Sequence, residues 1–420
     1  MTLNLLQTFP EPVTAAQLAH CASIHLGMTK GSTRTQAVHA VADAIRRYQD
    51  EILEANTLDL EASREMAVPD LMLEWLKLTP ERLQATVQLL HRLSDLPDPI
   101  GRIMSTTHQI EHCQTYSQLM PLGVIAFIYE SLPELGAIAT GLCLKTANSI
   151  ILKGSSEASY SNQLIAQAIR AGIEEVNLPE GCFQMLPSDQ GTSIRDLVVQ
   201  DQYVNLIIPY GRASLVQQVT RQATAPVLRS AIGNCYLYWS ASGGLDAVRH
   251  IILDSHHGEP DPVNAIEKVL VHRGHSLSAL TMLWNSLRER GFEIRGDADL
   301  VQEFADLRLA EELEWRHPYL SKIVAFKVVD TMEAAIAWIN LHSSGHADCL
   351  VTESYQESRQ FALSINSAST YINASPRFMR NSKRGEVFLG MSSQKGLRRG
   401  PIGMQALTTL KHIVQGTGQV

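Results

Sequence analysis

Four places in this 420-residue chain hold side chains whose type and spacing could do chemistry. Gly154-Ser155-Ser156 follows the apolar run Ser149 to Lys153 and precedes a helical pattern, so it reads as a strand–turn–helix junction. Free backbone N–H groups and the positive end of the helix dipole can hold an anion there, with Lys153 adding a fixed charge. A glycine at such a junction also serves the turn alone, and no GxGxxG or GxxxxGK[ST] string supports a nucleotide fingerprint. The second place is Asp254-Ser255-His256-His257-Gly258-Glu259-Pro260-Asp261, two imidazoles and three carboxylates in eight positions. No His-x₃-His spacing fixes a geometry, so a solvated loop without metal is expected.

The third place is basic. Arg377, Arg380, Lys383, Arg384, Lys395, Arg398 and Arg399 stand against the single acid Glu386, in a protein of net charge −8. A solvated loop with internal pairing is the plain reading; docking of an acidic protein partner or a polyanion is the functional one. The fourth is thiol chemistry. Six cysteines are scattered with no CxxC pair, which argues against a zinc site and a disulfide framework and for a reducing compartment.

Alternating elements must position these groups. Thr33 to Asn56 carries Val38, Val41, Ile45, Tyr48 and Ile52 at helical spacing, with Ser32 as the expected cap. Leu122 to Tyr129 is a short continuous apolar run, as in a strand buried on both faces, and Ser149 to Lys153 reads as a second strand. Helices are expected after Pro133 and from Glu157. The alternation continues through the strands Leu206–Pro209, Lys322–Asp330, Asp348–Thr352 and Ser369–Ala374 and the helices Ala213–Ala223, Met332–Leu341 and Ser354–Asn366. The class is α/β, with parallel sheets covered by helices.

Hydrophobic residues make up 45% and charged residues 19%, with mean hydropathy −0.05, which excludes fibrous and disordered classes. The length suggests two or three domains. The acidic balance argues against nucleic acid and anionic membranes as partners. No basic-then-apolar leader opens the sequence and no apolar run spans a bilayer, so a cytoplasmic protein is expected.

The strings PLGVIAFIYE, GLCLKTANSIILKGSSEA, LIIP, IGNC, NAIEKVLVH, SSGHADCLVTE, YINASPRF, SSQK and RGPIGMQALTT occur in the order seen in γ-glutamyl phosphate reductase, or glutamate-5-semialdehyde dehydrogenase. From about residue 30 onward the chain resembles this branch of the aldehyde dehydrogenase superfamily. The resemblance implies a Rossmann-like NADP-binding domain at 1–107 and 121–228, a catalytic-type α/β domain at 229–400, and an oligomerisation arm at 108–120 and 401–420. It implies a homo-oligomer, dimer or tetramer, and a cofactor site near Lys153, Gly154, Ser155, Ser156, Gly211 and Gly233. The family's reaction is NADPH-dependent reduction of glutamyl 5-phosphate to the semialdehyde, a step toward proline. A cysteine thiolate attacks the acyl phosphate, phosphate leaves, and the thioester accepts hydride.

The chain departs from this pattern where the chemistry is done. The family's cysteine stands just before the NAIE string; here that residue is Val263, followed by Asn264. An isopropyl group can neither attack nor hold an acyl group. The arginine of the YEARPN-type motif is Leu132, the glutamate before Tyr-Leu is Pro318, the acid of GLGAEIG is Phe388, and Gln-Arg-Pro is Gly258-Glu259-Pro260. Cys143 and Cys235 read as inert core, and Cys182 as a loop residue with no activating partner. The expected function is that of a non-catalytic relative acting by binding, as a scaffold or regulatory subunit, alone or mixed with an active homologue. Two alternatives stand beside it: a reductase transferring hydride directly without a thioester, and an NADPH-binding sensor. Pro318 and the turn Pro209-Tyr210-Gly211-Arg212, where the family has Pro-Arg-Gly-Gly, weigh against the sensor.

Overall fold

The fold is taken from a computed structural model that describes every residue except 1–9, 105–109, 112, 189–193, 231, 259–261, 382–384, 396–397 and 419–420. Contacts divide the chain into two compact units, Met1–Arg229 with Arg380–Leu389 and Pro401–Val420, and Ser230–Met379 with Gly390–Gly400.

The first unit opens with helices α1 (Pro12–Met28), α2 (Gly31–Arg47), α3 (Gln49–Glu65), α4 (Asp70–Leu76) and α5 (Pro80–Asp95). The single helix expected from Thr33 to Asn56 is therefore two. Tyr48 joins them at φ −91°, ψ 12°, close enough to helical geometry that the apolar stripe runs through the break. The cap is Lys30 rather than Ser32, because the extended backbone at Lys30 lets its carbonyl accept from the N–H groups of Thr33 and Arg34.

After β1 (Ile103–Met104) and β2 (Cys113–Pro121), strands and helices alternate. They are β3 (Val124–Tyr129), α6 (Glu134–Lys145), β4 (Ser149–Lys153), α7 (Ser159–Glu175), β5 (Phe183–Met185), α8 (Ile194–Val198), β6 (Leu206–Tyr210) and α9 (Ala213–Gln222). The sheet runs β5-β4-β3-β6, all parallel. Every residue of β3 and β4 is buried, which is why β3 and the Ile150–Leu152 centre of β4 read as apolar runs. Ala15, Ala16 and Ala19 of α1 share a core with Val124, Ala126 and Ile128 on one face, and α6 packs on the strands as well.

The second unit holds β7 (Cys235–Trp239), α10 (Leu245–Ser255), β8 (Ile266–His272), α11 (Leu277–Arg288), β9 (Glu293–Gly296), α12 (Ala298–Glu303), β10 (Arg308–Leu309) and β11 (Ile323–Val329), then α13 (Met332–His342), β12 (Ala347–Val351), α14 (Tyr355–Ser364) and β13 (Ser369–Ile372). Its parallel sheet has the order β10-β9-β11-β8-β7-β12-β13. Strand alternation sorts the core into two layers. Cys235, Leu237 and Trp239 pack with α10 and α11, while Tyr236 and Tyr238 pack with α13 and α14. Asp348 ties the sheet internally, its buried carboxylate accepting from the Tyr236 N–H and the hydroxyls of Ser343 and Ser367. Burial pushes its pKa up to about 6.

The last strand, β14 (Thr408–Gly416), returns to the first unit and pairs antiparallel with all of β2, from Thr408 opposite Pro121 to Gly416 opposite Cys113. With β1 on the far side of β2 these strands form a small separate sheet. The sequence division placed Arg380–Leu389 within 229–400, but by contacts it belongs to the first unit. The reason is polar. Arg380 is buried and donates to the Tyr210 hydroxyl at 2.8 Å and the Leu389 carbonyl at 3.2 Å, and the Leu389 N–H donates to the Ile402 carbonyl at 2.8 Å.

Candidate functional site

In the first unit, the carboxyl ends of β3, β4 and β6 surround a cleft of about 390 Å³ whose lining includes Glu130, Lys153, Gly154, Ser155, Ser156 and Arg212. In an open parallel sheet this end is where ligands bind. Four of the residues predicted to serve a cofactor, Lys153 to Ser156, are thus brought together. Their groups are already engaged. The buried Lys153 ammonium donates to the carbonyls of Pro187 at 2.6 Å and Ser188 at 3.3 Å, and Ser155 Oγ accepts from the Ser131 N–H at 3.1 Å. Gly154 is a packing glycine, since a Cβ there would lie 2.2 Å from Asn162 Nδ2.

The helix end that the sequence offered to an anion is capped from elsewhere. A 3₁₀ turn, Ser156–Ala158, precedes α7, and the Asp59 carboxylate of α3 accepts from the N–H groups of Tyr160 at 3.0 Å and Ser161 at 2.8 Å. Burial raises the Asp59 pKa to about 6 against the pull of these donors. The N–H groups of Tyr160 and Ser161 at the start of α7 thus have an internal carboxylate, while the Gly154-Ser155-Ser156 turn lines the cleft. Gly211 sits at φ +150°, where a Cβ would meet Glu130 Oε2 at 2.6 Å. Glu130 is clamped by Arg212, accepting from its backbone N–H at 2.8 Å, Nε at 3.2 Å and a terminal nitrogen at 3.0 Å.

Gly233 belongs to the second unit, where it holds the segment before β8. Its N–H donates to the Val263 carbonyl at 2.9 Å, and a Cβ would lie 2.7 Å from that oxygen and 2.8 Å from Cys235 Sγ. Val263 and Asn264 are each 1% exposed. Asn264 Nδ2 donates to the Pro376 carbonyl at 3.0 Å, while its Oδ1 is buried with no hydrogen-bond partner among the described residues. The geometry of the turn is built, and the side chain it carries is an isopropyl group.

An aldehyde dehydrogenase family model matches residues 11–233. γ-Glutamyl phosphate reductase 2 of Synechocystis is 52% identical over 406 residues, 96% of this chain and 97% of that one. γ-Glutamyl phosphate reductase of Gloeobacter violaceus is 39% identical over the same shares. The chain belongs to the γ-glutamyl phosphate reductase branch of the aldehyde dehydrogenase family. The crystal structure of γ-glutamyl phosphate reductase from Thermotoga maritima carries the same fold, with TM-score 0.90 at 31% identity, covering 98% of this chain and 100% of that one.

The other positions at which the sequence resemblance implies a departure from the reductase pattern fall in both units. Leu132 is 1% exposed in the first, just after Ser131 at φ +52°, and its N–H donates to the Glu130 carbonyl at 2.7 Å. Phe388, also in the first, is half-buried beside Gly403. Pro318, in the second, leads into a turn whose next two N–H groups, of Tyr319 and Leu320, donate to the buried Glu267 carboxylate. Burial raises Glu267 to about 7 and lowers its neighbour Lys268 to about 8.

Four of the six cysteines are poor nucleophiles. Cys143, Cys182, Cys235 and Cys349 are buried, and burial pushes every one of their pKa values up, that of Cys182 to about 12. Cys182 lies in the loop just before β5, as expected, and is 1% exposed. The His256-His257 run is structural where described: His256 meets the Ile266 carbonyl at 2.9 Å and stacks edge-on against Phe292, and His257 meets the Leu253 carbonyl at 3.1 Å. Glu259, Pro260 and Asp261 lie outside the described residues.

The basic stretch is not one patch. Arg380 is interior, so it is withdrawn from any docking surface. Arg377 pairs with Asp254 at 3.4 Å, Arg399 donates to Asn366 Oδ1 at 3.4 Å, and Lys395 and Arg398 are exposed. Lys383 and Arg384 lie outside the described residues. What sequence reasoning missed is the Asp59 cap and the Glu130–Arg212 clamp. Only the second left a trace, as an acid after one strand and a base after another.

Proposed function

We propose that this reductase-family chain has lost thioester chemistry and acts by binding, as a scaffold or regulatory subunit. The observation that carries the reading is Val263, buried in a segment held by Gly233 and Asn264, at the position where the family resemblance calls for the nucleophile. A thioester route forms a bond from sulfur to the acyl carbon as phosphate leaves, and valine offers no lone pair for that bond. Losing one oxyanion donor costs about 10²- to 10³-fold in rate, and here the changes at Leu132, Pro318 and Phe388 accompany loss of the nucleophile itself.

Assembly through the C-terminal strand, as a homo-oligomer or with an active homologue, fits this role. β14 is an edge strand of its small sheet and exposes Leu410 and Val414. An acidic protein partner at Arg377, Lys395, Arg398 and Arg399 is the second element of the proposal. Among the described residues no helix is long and apolar enough to cross a membrane, in keeping with a cytoplasmic role.

Retention of NADPH without turnover is favoured by the cleft at the ends of β3, β4 and β6 and opposed by the occupied Lys153 and the Asp59 cap. The Asp59 carboxylate disfavours an anion at the N–H groups of Tyr160 and Ser161, while Lys153 keeps its positive charge in the cleft lining. Expression in a proline auxotroph lacking its own reductase tests the proposal. Growth without proline should not be restored at a protein level that suffices for an active family member; rescue would return the chain to the enzymes.

A further inference from the structure

We propose that His39, Asp43 and His91 form a binding site for a divalent transition ion such as Zn²⁺, bridging α2 and α5. The three residues lie 52 positions apart at most, and nothing in their local spacing marked them as a set. In the fold, one donor atom from each lies within 4.8 Å of the other two.

The convergence follows from the helices. His39 and Asp43 are one turn apart on α2 and therefore share a face. His39 Nδ1 lies 3.3 Å from Asp43 Oδ2. His91 reaches in from α5, with Nε2 at 3.5 Å from Asp43 Oδ1 and its ring centroid 4.4 Å from that of His39. Donors on a tetrahedral zinc with bonds of about 2.0–2.1 Å sit about 3.3 Å apart, close to the distance at which each histidine already stands from one of the two Asp43 oxygens.

The scaffold beneath is rigid. Val38, one residue before His39, and Leu90, one before His91, converge with Leu93 on Gly141 of α6. The two helices are thus fixed next to their ligands, while the ligands themselves face water. The His39 side chain is 55% exposed, and those of Asp43 and His91 are 29% and 27% exposed. Water can complete the coordination.

Two imidazole nitrogens and one carboxylate suit Zn²⁺, Co²⁺, Ni²⁺ or Cu²⁺ and not Mg²⁺ or Ca²⁺, which take oxygen sets. Arg46, which pairs with Asp43 Oδ1 at 2.7 Å, is the counter-charge without metal. Its side chain is 64% exposed and free to swing into solvent as the ion enters. The site lies on the helices of the first unit and owes nothing to Val263, so it stands whether or not the chain turns over.

The test is a Zn²⁺ titration of tag-free, chelator-treated full-length protein against a fluorescent zinc chelator, with Co²⁺ absorption as a second readout. One Zn²⁺ per chain with micromolar or tighter affinity is expected, with visible Co²⁺ bands and a higher Tm. His39→Ala and His91→Ala should each weaken binding at least about tenfold while leaving the circular dichroism spectrum unchanged. Asp43→Asn, which keeps the side-chain size, serves if either histidine variant folds poorly. A Kd weaker than about 100 µM overturns the site, and so does stoichiometric binding that survives His39→Ala with His91→Ala.

Discussion

Thiol reagents are expected to modify Cys21 and Cys113 in the native protein and to leave Cys143, Cys182, Cys235 and Cys349 untouched until it unfolds. Cys21 is exposed and Cys113 half-buried, whereas the other four are sealed in the core. Burial alone raises Cys182 from 9.0 to about 12, which cuts the thiolate present at neutral pH about 10³-fold before any steric shielding is counted. Mass spectrometry after timed alkylation with iodoacetamide at pH 7.5 measures this directly. Fast labelling of any of the four, at a rate near that of free cysteine, would reveal an activated thiol and reopen the covalent route that we propose is closed at Val263.

Gly172 marks the second large effect, on stability. It lies on α7 where that helix crosses α2 with no room between the backbones. A Cβ would stand 2.6 Å from Val41 N, 2.7 Å from Val41 Cα and 2.8 Å from the Ala40 carbonyl carbon. All three are main-chain atoms, so no rotamer change relieves the clash and the helices must part. Gly172→Val should therefore cost roughly 3 kcal/mol, the upper end for overpacked cores, although valine has the better helix propensity. Urea denaturation followed by circular dichroism reads the shift in midpoint. An unchanged midpoint would show that α2 and α7 do not pack as described.

Gly172 also illustrates what could be read beforehand. Within the repeating pattern of the α7 segment it is one small residue, and its partner backbone lies some 130 positions away. The buried strands were legible at their centres, because Val124–Tyr129 is apolar along its whole length, as are Ile150–Leu152 within β4 and Cys349–Val351 within β12, and such runs have few other homes. Helix ends were less so. Tyr48 is nearly helical at its break, and the cap of α7 comes from Asp59, a hundred residues upstream. The same distance problem hid the interior placement of Arg380, which is set by Tyr210, 170 residues earlier. At the site, identities were legible and partnerships were not. Val263 could be named from its neighbours in sequence, but that Lys153 spends its ammonium on the carbonyls of Pro187 and Ser188 needed the fold.

The central claim is that the reductase chemistry of the family ends at Val263. It is tested most directly by the reverse reaction, with glutamate 5-semialdehyde, phosphate and NADP⁺, on protein purified from a host deleted for its own reductase, beside Val263→Cys. The account predicts no NADPH formation above background from the natural protein. Silence in the cysteine variant too is the expected companion result, because Leu132, Pro318 and Phe388 also depart from the family pattern; activity in that variant alone would make Val263 the main block. Turnover by the natural protein would contradict the account.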